Sequence, residues 1–136
     1  RHPSAIVLGA DTVVVVDGEV LGKPADRAEA AAMLGRLSGR PHQVLTGVAV
    51  VRGSEALVAH EETVVRFATL TREQIQWYVE TGEPMDKAGA YGIQGRAAAL
   101  IASISGDYYN VVGLPLHRTV QMLAQFGYPI FTGGAR

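Results

Sequence analysis

Cysteine is absent from the 136 residues of this sequence. This excludes disulfides, thiolate metal ligands and cysteine nucleophiles, so any chemistry depends on oxygen and nitrogen groups. No apolar run approaches the ~20 residues that span a bilayer, and residues 1–4 lack the apolar core of a secretory signal. With 12 basic and 13 acidic residues the net charge is −1, which does not indicate a broad basic surface. We therefore expect a cytoplasmic protein that binds neither nucleic acid nor membrane.

The composition favours one globular domain across residues 1–136, because 48% of the residues are hydrophobic and 18% are charged. Runs of β-branched residues alternate with segments of helical periodicity. Hairpin signals join some of the strands, and helices join others. The sequence therefore predicts an α/β domain with a mixed, twisted sheet flanked by helices.

Five segments are strand-like, and most of them are rich in β-branched residues. Asp17-Gly18 predicts a tight hairpin turn before residues 19–21, and this pattern places Asp11 inside or at the edge of a strand. The two longest segments are separated by a short polar stretch, which is typical of an antiparallel pair. The predicted strands are residues 6–8, 12–16, 42–51, 56–67 and 97–104.

Three segments have helical periodicity. Residues 28–37 follow Asp26, a good capping residue, and place Ala30, Met33, Leu34 and Leu37 on one face. Thr71 and Gln74 form a capping box that opens a second helix, which ends at Gly82. Pro115 suits the first turn of a third helix. The residues that we expect this third helix to bury are Leu116, Val120, Leu123 and Ala124.

Asp11 and Lys23 are the first candidates for chemistry, since the hairpin between them could bring the two side chains together. A carboxylate at a strand can bind a divalent metal or accept a proton from water, and a lysine can neutralise phosphate oxygens. Together they suggest phosphoryl chemistry. The alternative is a surface aspartate and a solvated lysine, and spacing alone leaves both open.

Residues 82–95 combine charges, an amide and four glycines in one segment. Glycine lets the backbone approach a ligand closely, and the Gln94 amide could recognise the edge of a base. The alternative is a surface loop whose glycines only supply positive dihedral angles. The segment has neither the Gly-Lys-Ser/Thr end of a P-loop nor a dinucleotide fingerprint.

Other polar residues favour structural roles. His42 stands alone at the start of a strand, where a hydrogen-bonded structural histidine is commoner than a base or metal ligand. The serines lack a nucleophile elbow, which argues against serine hydrolase chemistry. Tyr108 and Tyr109 could stack on a base, although core packing is the favoured role.

Several blocks of the sequence resemble, in order, the signatures of the Maf family. They are Ala-Asp-Thr-Val-Val at 10–14, Leu-Gly-Lys-Pro at 21–24, Leu-Ser-Gly-Arg-Pro-His at 37–42, residues 82–95, and Asn-Val-Val-Gly-Leu-Pro-Leu at 110–116. The resemblance implies a fold related to the inosine triphosphate pyrophosphatase group. It also implies Mg²⁺ dependence, homodimers, and hydrolysis of nucleoside triphosphates between the α and β phosphates.

The resemblance assigns roles to four residues. Asp11 matches the family's catalytic base and would also contact the metal, and Lys23 matches a lysine of the phosphate pocket. Thr12 and Gln94 match positions linked to substrate choice, and both resemble the branch that acts on dTTP and UTP more than the 7-methyl-GTP branch.

The sequence departs from the family at its start. The family's Ser-x-Ser-Pro-Arg-Arg loop and further acidic and lysine site residues precede the Ala-Asp-Thr block, and none is present here. We therefore expect that an N-terminal segment of the family domain is absent. A catalytically impaired nucleotide-binding module and a cell-division regulator stay open as alternatives. Residues 132–136 resemble a loose tail.

Overall fold

The first two strands form the predicted hairpin. A computed structural model of the protein describes residues 5–128 and 130. Strand β1 spans Val7–Val16 and β2 spans Glu19–Leu21. Asp17 and Gly18 have φ angles of 52° and 75°, the pair of left-handed conformations that a two-residue primed turn requires. Asp11 thus lies inside a strand, as expected.

Within residues 5–128 and 130, five strands form one sheet in the order β2-β1-β3-β4-β5. Strand β3 spans Pro41–Arg52, β4 spans Glu55–Phe67 and β5 spans Ile101–Ser105. The α/β fold class is confirmed, but all four strand pairings within the described residues are antiparallel, where mixed pairing was expected. The reason is that β2 and β3, which run parallel to each other, are not neighbours. They lie on opposite sides of β1 and therefore do not pair.

The part of the chain that the structure describes also contains four α-helices: α1 spans Arg27–Leu37, α2 Arg72–Glu80, α3 Tyr108–Val112 and α4 Leu116–Gln125. The side chains that cap α1 and α2 are the ones that the sequence predicted. The Asp26 side chain accepts from the Glu29 N–H, and the Thr71–Gln74 capping box is complete. Each cap satisfies backbone donors that the first turn of a helix leaves unpaired. Within the described residues, no helix is long and apolar enough to cross a membrane.

The core lies on one side of the sheet. Because side chains alternate along a strand, Thr12, Val14, Val44 and Val65 share this side, called here the helix face. The predicted inner residues of α1 are all buried there. The opposite side, called the open face, carries Asp11 and Val58, and the Val58 side chain is 77% exposed.

Three predictions of elements differ from the structure. The strands predicted at 6–8 and 12–16 are one continuous strand, β1. Residues Arg96–Leu100 form a 3₁₀ turn, and the strand begins only at Ile101. Ala97 and Leu100, three residues apart, are the buried positions, which matches the 3₁₀ period.

Helix α4 is the third case, because it buries Thr119 and Met122 and leaves Leu116 exposed. Its inner face is set by packing on Val48, Val50 and Phe126, which a helical period cannot specify. The proposed loose tail at 132–136 lies outside the described residues.

Candidate functional site

A cavity of about 520 Å³ opens between the helix face of the sheet, residues 82–95 and the end of α3. Its lining includes Thr12, Lys23, Lys87 and Gln94, and it is called here the lysine cavity. The sequence has only two lysines, and both line it. Three of the four predicted site residues therefore meet in one place.

The hairpin brings Lys23 to Thr12 and not to Asp11. In the β1–β2 register Val14 pairs with Leu21 and Val16 with Glu19, so Lys23 follows on the side of the even-numbered residues of β1. Asp11 is adjacent to Thr12 in the strand, and side-chain alternation places it on the open face, where it is exposed. The expected meeting of Asp11 and Lys23 does not occur within this cavity.

Residues 82–95 are held against the hairpin by backbone and packing contacts. The Gly89 N–H donates to the Gly22 carbonyl at 3.1 Å. Gly89 has a φ of 72°, and a Cβ at this position would lie 2.9 Å from Val14 Cγ1. Ala90 follows with a φ of 69°, although it is not glycine and is fully buried. The segment is therefore an ordered wall that stores backbone strain beside the cavity.

Two further glycines make room for charged side chains. A Cβ at Gly92 would lie 2.5 Å from Lys87 Cε, and a Cβ at Gly95 would lie 2.2 Å from a Glu83 carboxylate oxygen. The Lys87 stem and the Glu83 carboxylate therefore lie directly against the backbone. The alternative that these glycines serve only positive dihedral angles is wrong for Gly92 and Gly95, whose neighbours need the space.

Glu83 is the carboxylate among the described lining residues, and it is fully engaged. It accepts hydrogen bonds from the Tyr78 hydroxyl at 2.6 Å and from the Arg96 N–H at 3.2 Å. Burial alone would raise the pKa of Glu83, but these hydrogen bonds and the nearby Lys87 hold it below its ordinary value. Burial, helped by Glu83, raises the pKa of Tyr78, which stays a neutral donor.

His42 lies behind the cavity wall as a buried structural residue, as expected. Its Nε2 atom lies 2.6 Å from the hydroxyl of Tyr91, which lines the cavity, and its ring packs against both Tyr91 and Phe67, which also contact each other. Burial lowers the pKa of His42 to about 4. The imidazole is therefore neutral near pH 7, and its Nδ1 atom has no hydrogen-bond partner among the described residues.

The lining of the lysine cavity does not fit a resident magnesium site. Mg²⁺ prefers oxygen ligands, whereas two lysines line this space and the Glu83 oxygens are already hydrogen-bonded. In the part of the chain that the structure describes, no group of three or more histidine, aspartate or glutamate side chains could hold a metal ion. The chemistry of the cavity favours an anionic ligand.

Sequence reasoning missed several residues of this site. Lys87 had a signal, because it is one of only two lysines and lies in a family motif. No local signal marked Tyr91 or Thr46, the buried residue whose hydroxyl contacts Thr12 across β1 and β3, because their roles depend on contacts between distant parts of the chain. The predicted core packing of Tyr108 and Tyr109 is wrong, because their side chains are 40% and 50% exposed on the short helix α3.

Comparison with known proteins agrees with the motifs. The Maf family, described as Maf-like protein, matches residues 1–126. A dTTP/UTP pyrophosphatase of Symbiobacterium thermophilum is 91% identical over 135 residues, which cover 99% of this chain and 70% of that relative. Proteins of the same name from Bacillus pumilus and Moorella thermoacetica are 54% and 61% identical, and the matches cover 96% and 93% of this chain and 69% and 66% of those relatives. The family predicted from the motifs is thereby confirmed, and the chain belongs to the Maf family.

Proposed function

We propose that this protein hydrolyses nucleoside triphosphates, with dTTP and UTP as its substrates, to the monophosphate and pyrophosphate. The observation that carries the proposal is the meeting of both lysines of the chain with Thr12 and Gln94 around one cavity. The printed names of the relatives, dTTP/UTP pyrophosphatase, support the same substrates.

The lysine cavity supplies the binding functions. Lys23 and Lys87 place two positive charges where phosphate oxygens would lie, and a lysine ammonium serves such oxygens as a compact point charge. One Lys87 donor is used by Asp86 at 3.0 Å, which leaves two for a ligand. Gln94 is exposed and offers both a donor and an acceptor to a base.

Asp11 is the proposed base for the chemical step, on the strength of the motif that contains it. The Asp11 carboxylate would take a proton from a water molecule as the water oxygen bonds to the α-phosphorus. The bond from that phosphorus to the oxygen bridging to the β-phosphate then breaks, and pyrophosphate leaves. Mg²⁺, with Asp11 as a ligand, is proposed from the resemblance alone, and it would arrive with the triphosphate because the cavity lining does not form a site for it.

A second candidate function is nucleotide binding without turnover, including a regulatory role in division. One observation favours it: Asp11 lies on the open face, away from the residues that line the cavity. Binding would then depend on the residues that line the cavity, Lys23, Lys87 and Gln94 among them, and Asp11→Asn would leave the affinity unchanged.

A homodimer and a cytoplasmic location complete the proposal. The resemblance implies the homodimer, and exposed apolar side chains support it, since Val7 and Val58 on the open face are 41% and 77% exposed. The absence of cysteine supports a reducing compartment.

The decisive assay separates the products formed from dTTP, UTP and 7-methyl-GTP in the presence of Mg²⁺. We expect monophosphate and pyrophosphate from dTTP and UTP, with little turnover of 7-methyl-GTP. Asp11→Asn should abolish turnover and leave folding and nucleotide binding intact. Asp17→Asn is the matched control, because it neutralises an exposed carboxylate of the same hairpin and asparagine suits that turn. Full activity in Asp11→Asn would remove Asp11 from the reaction and leave its catalytic base unassigned, whereas nucleotide binding without turnover in the unmodified chain would favour the second candidate.

A further inference from the structure

A chain of hydrogen bonds runs from the wall of the lysine cavity into the core. Thr12 lines the cavity and faces Thr46 directly across β1 and β3, with the two hydroxyl oxygens 2.8 Å apart. Thr46 is fully buried, and its hydroxyl also lies 2.9 Å from the carbonyl oxygen of Asn110. Three residues from three elements therefore share one polar path.

The direction of the protons along this path is fixed by chemistry. A carbonyl oxygen can only accept, so the single hydroxyl proton of Thr46 is donated to Asn110. Thr46 then has no proton left for Thr12. The Thr12 hydroxyl must donate to Thr46, and only its lone pairs remain for a ligand in the cavity.

The Asn110 carbonyl is itself held in place. The buried Asn110 side-chain amide donates to the Val44 carbonyl at 3.0 Å and to the Thr63 hydroxyl at 2.9 Å. Because the Val44 carbonyl can only accept, the orientation of this amide is determined. The anchor of the path is therefore rigid, and the Thr46 hydroxyl has a single favourable orientation.

A hydroxyl that can only accept selects the chemistry of its partner. It would repel phosphate oxygens, which are acceptors, so the phosphates belong with Lys23 and Lys87 and the base lies toward Thr12. Uracil and thymine present an N–H at ring position 3, where cytosine presents a bare acceptor nitrogen. An acceptor at Thr12 therefore favours the first two bases over the third.

We propose that Thr46, anchored on the main chain of Asn110, is a positioning residue that holds the Thr12 hydroxyl as an acceptor for the ring N–H of a uracil or thymine base. This inference rests on the proposed function, since it requires a nucleotide in the lysine cavity. Thr46 would thus contribute to base discrimination through Thr12, without contacting the ligand itself.

The test compares the dissociation constants of UTP and CTP, both as α,β-non-hydrolysable analogues, for the unmodified chain and for Thr46→Val. Valine keeps the shape of threonine and removes the hydroxyl, so Thr12 becomes free to donate or accept. We expect the preference for UTP over CTP to fall by about fivefold or more, the worth of one hydrogen bond. Thr46→Ser keeps the hydroxyl and should keep the preference within about twofold.

Two further variants separate positioning from stability. Thr119→Val removes another buried hydroxyl that donates to a backbone carbonyl, that of Pro115, and should lower stability without changing the UTP to CTP ratio. In the double variant Thr12→Val with Thr46→Val, the ratio should equal that of Thr12→Val alone, because Thr46 acts through Thr12.

The outcomes are distinct. Binding of UTP with an unchanged UTP to CTP ratio in Thr46→Val would overturn the positioning role and leave the proposed function intact. If Thr46→Val changed the relative affinity only for analogues that differ at a sugar hydroxyl, the positioning role would likewise be overturned. The partner of the Thr12 hydroxyl would then be the sugar and not the base. Failure of the unmodified chain to bind either nucleotide would overturn the proposed function and this inference with it.

Discussion

His42 links the packing of this protein to pH at the scale of a single residue. Its buried ring holds Tyr91, a wall of the lysine cavity, and burial lowers the pKa of His42 to about 4 from an ordinary 6.5. Between these two pH values the unfolded chain binds a proton that the folded chain does not. The contribution of His42 to the free energy of unfolding is therefore fully present above pH 6.5 and is lost as the pH drops toward 4.

The expected contribution of His42 to this loss is about 3 kcal/mol across the window, from roughly 1.4 kcal/mol for each pH unit. His42→Gln keeps a polar partner for Tyr91 and cannot titrate. Urea unfolding at pH 7 and pH 4.5 should show a smaller loss of stability in His42→Gln than in the unmodified chain. Equal losses in both proteins would contradict a buried neutral histidine.

Family motifs allowed single site residues to be predicted, whereas the side of the sheet on which a residue lies could not be predicted. Motif matches identified Thr12, Lys23 and Gln94, and the structure brings all three to one cavity. Asp11 could not be placed in this way, because one position along a strand reverses the face of the sheet and the hairpin register decides which side meets Lys23. Its catalytic role stays a prediction.

At the scale of elements, local signals were sufficient wherever they act within a few residues. The Asp17-Gly18 turn, the Asp26 cap and the Thr71–Gln74 capping box were predicted and are all formed. Tertiary contacts decided the rest. The buried face of α4 and the 3₁₀ turn at Arg96–Leu100 depend on which neighbours they pack against, which no local period contains.

The ordered wall formed by residues 82–95 makes a prediction about two glycines. Gly89→Ala places a Cβ 2.9 Å from Val14 at a φ of 72°, so we expect a loss of about 2 to 3 kcal/mol in the free energy of unfolding. Gly35→Ala is the matched control, because a Cβ there meets nothing within 4 Å and the residue lies in α1. It should stabilise the protein by up to about 1 kcal/mol.

Denaturant midpoints of the two glycine variants give the comparison. If Gly89→Ala were as stable as Gly35→Ala, the result would contradict the close contact between residues 82–95 and β1. A loss in both would point to an effect of alanine that the local geometry does not explain.

At the scale of the whole molecule, the sheet separates two surfaces with different chemistry. The helix face carries the core and the lysine cavity, whereas the open face carries Asp11 and exposed valines. The family and the α/β class could be predicted from motifs and patterning. The all-antiparallel pairing and the single-sided core could not, since both depend on how hairpins and helical connections combine. That residues 1–136 form one domain stays a prediction.

The open face is the surface that the proposed homodimer would bury. If a second copy covers the open face, Val58→Lys should shift the protein to monomer in sedimentation equilibrium, because a lysine charge would be buried in an apolar interface. Trp77→Lys, at an exposed apolar position on α2, which packs on the helix face, should leave the association unchanged. Equal association of all three proteins would place the interface elsewhere, and a monomeric unmodified chain would contradict the homodimer.

The affinity of lysine variants for a nucleotide decides whether the lysine cavity binds the triphosphate. The dissociation constant of an α,β-non-hydrolysable UTP analogue should rise about tenfold or more in Lys23→Ala and in Lys87→Ala, since each loses charged hydrogen bonds to phosphate. Arg72→Ala, which removes an exposed positive charge on α2, should bind as the unmodified chain does. If the lysine variants bound the analogue no more weakly than Arg72→Ala does, binding of the triphosphate in the lysine cavity would be contradicted.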